Sequence, residues 1–350
     1  MGATAPAVKL PMFNRSMREV SLQFVASGSD VDEISRGGIL HTLFLKIEGQ
    51  LTCTNANNTR ANTVRGDVAN LIRRLRIRVN SQENVVDLDG PGLVGDCYTL
   101  LGRLPRDVDG QLGDGATANP TFSLTIPVTF TVPRRFHRKP IDTALDCRGN
   151  RMSKLEVEVD WNTHTAINTA ATGFTVAPTM TVFSQKSYGV PDDQVFGYLR
   201  RYRIPHTLSA TNSREQVRIA TVGSYYGFLI NTTDGVADSR AILSGLQLRS
   251  GSTIYEDHDP EILSDAYGRV WGDRERPFSG AAFGYLAPMI STGFDLRAWL
   301  PLIVAYDGNL QEILPAAGLP ELIFEFNATV GGGTTVINVY PYQYEQPPMR

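Results

Sequence analysis

The sequence predicts an all-β chain of two consecutive β-sandwiches, each with one short helix, and three observations carry that prediction. Many short runs alternate apolar with polar residues, the period of a half-buried strand. Those runs are bounded by turn residues, with 32 Gly and 20 Pro in 350 residues. One helix-like stretch also occurs twice, as "GPGLVGDCY" at 90–98 and "DPEILSDAY" at 259–267, a shift of 169. Pro91 matches Pro260, Leu93 matches Ile262, Val94 matches Leu263, Asp96 matches Asp265 and Tyr98 matches Tyr267.

The repeated stretch reads as a helix start. Asp89 or Gly90 caps it, Pro91 fits the first turn where its missing N–H is not needed, and Leu93, Val94, Cys97, Leu100 and Leu101 form one apolar stripe. In the second copy Asp259 caps, Pro260 opens, and Ile262, Leu263, Ala266 and Val270 form the stripe; Gly102 and Gly272 are the expected stops.

The flanking strands repeat in the same order. "RRLRIRVN" sets Leu75, Ile77 and Val79 against Arg74, Arg76 and Arg78, and "GLQLRSG" does the same with Leu246 and Leu248. Downstream, "KLEVEVDW" exposes Glu156, Glu158 and Asp160, and "ELIFEFN" places Glu325 as the counterpart of Glu158, a shift of 167. "GGILHTLFLKIEG" and "GSYYGFLINTTDG" lead each half; "TMTVFSQKSY" and "TVINVYPYQY" close it. The junction falls in "YGVPDDQVFGY", 188–198. Many strands with turn signals and one helix per half make an eight-stranded jelly roll the expected form of each sandwich. The expected limits are an N-terminal arm at 1–17, a first jelly roll at 18–189, a second at 190–344 and a C-terminal tail at 345–350.

Composition narrows the function. Charged residues are 20% and hydrophobic ones 42%, the balance of a folded globular chain. A net charge of −3 provides no overall attraction to nucleic acid, so no specific nucleic-acid partner is expected. No run approaches the roughly 18 apolar residues of a membrane span. The polar start "MGATAPAVKL" lacks a signal-peptide core, which points to synthesis and folding in a cytoplasm. Cys53, Cys97 and Cys147, odd in number and far apart, read as reduced thiols.

Catalytic chemistry finds little support. His41, His137, His164, His206 and His258 are too dispersed for a cupin-type metal set, so no metal or cofactor site is expected. No phosphate loop or nucleophile elbow occurs. Asp257, Asp259, Glu261 and Asp265, with Trp271 and Trp299, supply the alternative reading, a carbohydrate-binding or glycan-processing double β-sandwich. Against it, Asp259 is a cap, Glu261 complements the helix N-terminus and Asp265 has Asp96 as its counterpart. No catalytic residue is assigned.

The paired stretches and the order of elements resemble the double jelly-roll major capsid proteins of tailless icosahedral, internal-membrane-containing viruses of the bacteriophage type, over about Arg18 to Tyr344. The resemblance implies a structural subunit rather than an enzyme, made in the host cytoplasm and residing in the virion. It implies a homotrimer forming pseudo-hexagonal capsomers, with neighbouring capsomers, penton and minor capsid proteins and internal membrane lipids as partners. On that reading 51–67 and 105–120 are outward loops, "PRRFHRKP" at 133–140 is a salt-bridged turn or a subunit or lipid contact, and the termini are ordered by neighbours. The Arg74, Arg76 and Arg78 face is expected opposite Glu156, Glu158 and Asp160, across adjacent strands or a subunit contact.

Overall fold

The computed structural model describes residues 12–53, 67–102, 104–105, 121–132, 143–149, 151–166, 174–191, 193–194, 196–235, 237–264, 298–305 and 312–345. The first half contains β1 (Phe13–Gln23), β2 (Ser29–Glu33), β3 (Ile39–Cys53), β4 (Ile72–Val79), β5 (Glu83–Leu88), α1 (Gly90–Leu101), β6 (Thr121–Thr129), the short β7 (Leu145–Asp146), β8 (Leu155–Trp161), the short β9 (Phe174–Val176) and β10 (Thr179–Tyr188). Two sheets face each other, β1-β10-β3-β6 and β2-β8-β4-β5. The first strand lies beside the last and, leaving aside the short β7 and β9, the second beside the last but one, which is jelly-roll order. Leu43, Leu45 and Ile47 of β3 meet Leu75 and Ile77 of β4 and Val157 and Val159 of β8 in the core, while the intervening polar residues face outward.

The second half repeats the plan with β11 (Tyr198–Tyr202), β12 (Ile204–Thr207), β13 (Asn212–Ile219), β14 (Ser224–Asp234), the short β15 (Ala237–Asp238), β16 (Leu243–Ser250), β17 (Thr253–His258), β18 (Trp299–Ile303), the short β19 (Leu314–Pro315), β20 (Leu322–Ala328) and β21 (Thr335–Glu345). β11 and β12 together act as the first strand against β21, β14 lies on its other side and β18 beyond; the facing sheet is β13-β20-β16-β17. Phe228, Phe324 and Phe326 centre a second core, Phe228 meeting Phe324 edge-on at 4.9 Å.

Pairing of β1 begins at Phe13, within the stretch expected as an arm, because Phe13 stacks on Tyr188 at 5.3 Å. Pairing of β21 likewise reaches Glu345. Of the two expected outward loops, 51–53 belong to β3, and 67 and 105 are described; the rest, like all of "PRRFHRKP", lies outside the described residues. Cys97 and Cys147 are buried and not joined in a disulfide.

The two helix starts correspond, but one residue away from the expected register. Asp89 accepts from Gly92 N at 3.0 Å, and its carbonyl accepts from Leu93 N at 2.9 Å. Asp259 accepts from Ile262 N at 3.3 Å, and its carbonyl accepts from Leu263 N at 2.9 Å. The caps therefore match at a shift of 170, making Leu263 the partner of Leu93 and Ile262 the partner of Gly92. Leu93 is 0% and Leu263 6% exposed, whereas Ile262 is 66% exposed and is not part of an inward stripe. Successive helical residues point about 100° apart, so the one-residue slip turns Ile262 outward. Gly102 ends α1 at φ 73, as a left-handed cap. Tyr267, Val270 and Gly272 lie outside the described residues.

The arginine face is a paired strand face. β4 and β8 are antiparallel neighbours, with Arg74 opposite Asp160, Arg76 opposite Glu158 and Arg78 opposite Glu156. Arg76 binds Glu158 at 2.5 Å and Asp160 at 2.9 Å, and Arg78 also pairs with Glu158. Arg74, next to a register shift in β4, turns instead to Asp87 of β5 at 2.5 Å. The second sandwich keeps the motif, Arg249 of β16 binding Glu325 of β20 at 2.8 Å.

Two predictions follow from these placements. Leu93→Ala should cost about 2–5 kcal/mol, a cavity in the core, while Ile262→Ala should change the stability of the isolated chain by less than about 0.5 kcal/mol; denaturant unfolding of both variants checks it. The second concerns acid. Hydrogen bonds from Lys154 and Ser81 hold Glu156 below the ordinary 4.5, and bonds from Arg249 and Gln216 do the same for Glu325. A lowered carboxylate stabilises the fold above its unfolded value and loses that contribution as pH falls through its folded value. Stability measured between pH 5 and pH 3 should therefore fall less steeply in Glu325→Gln than in the unaltered chain.

Candidate functional site: the seam between the sandwiches

The largest buried surface shared by the two halves is the seam between the sandwiches, where α1 and β5 of the first meet β11, β14, β18 and β21 of the second, and it is the candidate site. After the junction, β11 pairs antiparallel with β21 and, on its other edge, parallel with β5, Arg201 opposite Val86 and Tyr202 opposite Asp87. One sheet thus runs β14-β21-β11-β5-β4-β8-β2 through both halves. Arg148, gripped by Asp146 at 2.5 Å, donates to the Pro191 and Gln194 carbonyls, each at 2.8 Å, and pins the junction.

Helix α1 of the first sandwich packs against the second. Gly95 leaves room for the Trp299 ring of β18 and for Leu229 of β14; Gly92 does so for Tyr340 of β21, and a Cβ at either position would overlap those side chains. Trp299 stacks with Tyr340 at 6.0 Å and donates its indole N–H to Asp238 at 2.9 Å. Leu229, Tyr340 and Tyr342 lie on the face of their sheet away from the second core and join the first core instead. Both faces of β14 are thereby covered, which explains why "YYGFLI" is a continuous apolar run rather than an alternating one.

Polar contacts cross the seam at three places, two of them ion pairs. Arg201 Nη1 donates to Asp96 Oδ2 at 2.6 Å, the side chains being 1% and 2% exposed, and the guanidinium lies 5.4 Å from the Phe130 ring. Burial pushes the Asp96 carboxyl up, against the pull of Arg201 and a hydrogen bond from Tyr342. Arg203 binds the helix cap Asp89 at 3.0 Å, and the Tyr340 hydroxyl donates to that cap at 3.3 Å. The Tyr198 hydroxyl donates to Glu83 at 2.7 Å, and burial together with Glu83 raises its pKa strongly. Burial and the Glu83 charge also raise Glu345.

The residues considered for other chemistries lie apart. Trp299 is buried in the seam and presents no ring to a glycan, Asp259 is a cap, and Asp265 and Trp271 lie outside the described residues. His206 pairs with Glu215 and His258 with Glu256; His137 lies outside the described residues. Among the described residues no group of three or more metal-ligating side chains occurs. Sequence reasoning noted Asp96 only as part of the repeat and missed Arg201. One signal was available, since Asp96 is the single charge in the helix "GPGLVGDCYTLL".

No protein-family model and no curated protein matches the chain. Solved structures do match. The STIV MCP, of Sulfolobus Turreted Icosahedral Virus, aligns with a TM-score of 0.66 and 10% identity over 96% of this chain and 97% of that one. The fold is the double jelly roll of major capsid proteins. The bacteriophage PM2 major capsid protein aligns at 0.58 and 12% over 95% and 98%. The Faustovirus major capsid protein aligns at 0.60 and 9% over 100% and 92%. Shared double jelly rolls at such low identity locate the resemblance in topology, with no short motif to carry it.

The seam pair yields a direct prediction. Asp96→Ala leaves a buried guanidinium uncompensated and should cost about 3–5 kcal/mol, whereas Asp96→Leu combined with Arg201→Met should recover most of that loss. Denaturant unfolding of the two variants decides it.

Proposed function

We propose that this chain is a major capsid protein, a structural subunit that trimerises into pseudo-hexagonal capsomers and tiles an icosahedral virion shell over an internal lipid membrane. The observation that carries the reading is the end-to-end correspondence of two tandem jelly rolls, locked by a buried seam, with major capsid proteins over 96% of this chain. A tile must keep its shape under load, and a seam that combines sheet pairing with helix burial gives two sandwiches one pose. Three chains of two sandwiches make six similar lobes, with the first sandwich of one chain against the second of the next, and closed rotation is the usual form of a soluble oligomer. Its work is mechanical rather than catalytic, its place is the virion after synthesis in the host cytoplasm, and its partners are neighbouring capsomers, penton and minor capsid proteins and membrane lipids.

Light scattering on the chromatographed full chain, with negative-stain imaging, tests the proposal. The expected result is a species of three chain masses that images as six-lobed plates or closed shells. A stable monomer or dimer at micromolar concentration, forming no particle under any ionic condition, overturns it.

A further inference from the structure

The seam inside the chain joins two edge strands, and each has a counterpart whose outer edge pairs with no strand among the described residues. In the first sandwich β5 is covered by β11; its counterpart β17 is the edge of the sheet β13-β20-β16-β17. In the second sandwich β11 is covered by β5; its counterpart β1 is the edge of β1-β10-β3-β6.

Residue equivalences come from irregularities the two halves share. β10 against β3 skips His41, and β21 against β14 skips Tyr226, a bulge at one structural position in both halves. Carried across to the first strands, it makes Tyr198 the counterpart of Phe13, Arg201 of Ser16, Tyr202 of Met17 and Arg203 of Arg18. The helix caps make Asp259 the counterpart of Asp89, so Tyr255, Glu256 and Asp257 correspond to Val85, Val86 and Asp87.

Exposure differs in the way a missing partner requires. Tyr198 is 7% exposed and Phe13 47%; Val85 is 0% and Tyr255 37%. Ile254, at 52%, and Ile262, at 66%, lie on the same outer margin, Ile262 at the place where Gly92 meets Tyr340 across the seam. Charge is complementary as well. The β1 edge carries Arg15 and Arg18, both exposed, and the β17 edge carries Glu256, Asp257 and then Asp259 and Glu261. Arg18 stands where Arg203 stands, and Asp259 where Asp89 stands, the pair that closes at 3.0 Å inside the chain.

We infer that β1 of one copy pairs in parallel with β17 of the next, Ser16 opposite Glu256 and Met17 opposite Asp257, repeating between chains the β11–β5 seam made within one. The occupant of each free edge is thus a second copy of this chain, and Arg18 binds Asp259 of that copy. Unpaired edges invite indiscriminate strand addition, and the opposite charges on these two select one pairing over self-pairing of either edge. A heterologous contact of this kind closes into a ring when the rotation permits. The inference rests on the trimeric capsid reading and specifies its interface.

Cysteine cross-linking tests it. The chain carrying both Ser16→Cys and Glu256→Cys, oxidised as the native assembly, should run on a non-reducing gel as covalent dimers and trimers, while each single substitution runs as a monomer. Arg18→Glu, an exposed change that leaves the thermal melt of the isolated chain in place, should weaken trimer association about tenfold and more so at low salt. Trimers by light scattering with no cross-link in the double variant and no effect of Arg18→Glu overturn the strand pairing and leave the capsid reading standing. A monomer in the unaltered protein overturns both.

Discussion

The parallel pairing of β5 with β11 is the interaction on which the relative placement of the two sandwiches depends. An edge strand of a jelly roll carries a row of backbone donors and acceptors that burial would leave unsatisfied, so whatever packs against it must supply a strand. β11 supplies one, and because it is at the same time the first strand of the second sandwich, the pairing carries the second core into register with the first. The packing of α1 on β14, β18 and β21 follows from that placement, and Gly92 and Gly95 are the residues that let the helix come so close.

Buried charge reinforces the arrangement in a different way. Arg201 with Asp96, and Lys186 with Glu19 at 2.8 Å, are ion pairs almost wholly removed from water. Desolvation offsets much of the Coulomb attraction in such pairs, so they are weak sources of net stability. Their effect is selective, since a seam shifted by one residue would strand a guanidinium and a carboxylate without partners. The Lys186 ammonium illustrates the geometry required: Glu19 and the Ser35 hydroxyl and carbonyl all converge on it. Burial alone would raise the pKa of Glu19, but hydrogen bonds from Lys186, Ser184 and Ser35 outweigh it and hold the carboxylate below its ordinary range.

Likeness and difference between the two halves are visible at single positions. The Glu158 and Glu325 ion pairs keep one motif on the same pair of strands in both halves, because each serves only its own sheet. Gly92 and Ile262 have parted company, because one faces a neighbour inside the chain and the other faces outward. Positions that answer to local structure stayed alike, and positions that answer to what lies beyond the sandwich did not.

Much of this was legible in the residues. Period-two alternation in "KLEVEVDW" and "RRLRIRVN" determined which side chains enter a core, and the matching spacing of their charges predicted that the two faces oppose each other; that they do so on adjacent strands rather than across a subunit contact was decided by the β4–β8 pairing. Asp89 or Gly90, and Asp259, marked where helices begin, since a cap is a local hydrogen bond, and the structure chose Asp89 of the first two. Alternation says which face of a strand is buried but not which strand lies along its edge. The β5–β11 pairing, the burial of Trp299 and the partnership of Arg201 with Asp96, 105 positions apart, were therefore left to the tertiary structure. The same holds for the one-residue slip that turned Ile262 outward: residue matching by type favoured a shift of 169, and only the backbone bonds of the two caps decided for 170, because those bonds rather than side-chain likeness set the phase of a helix.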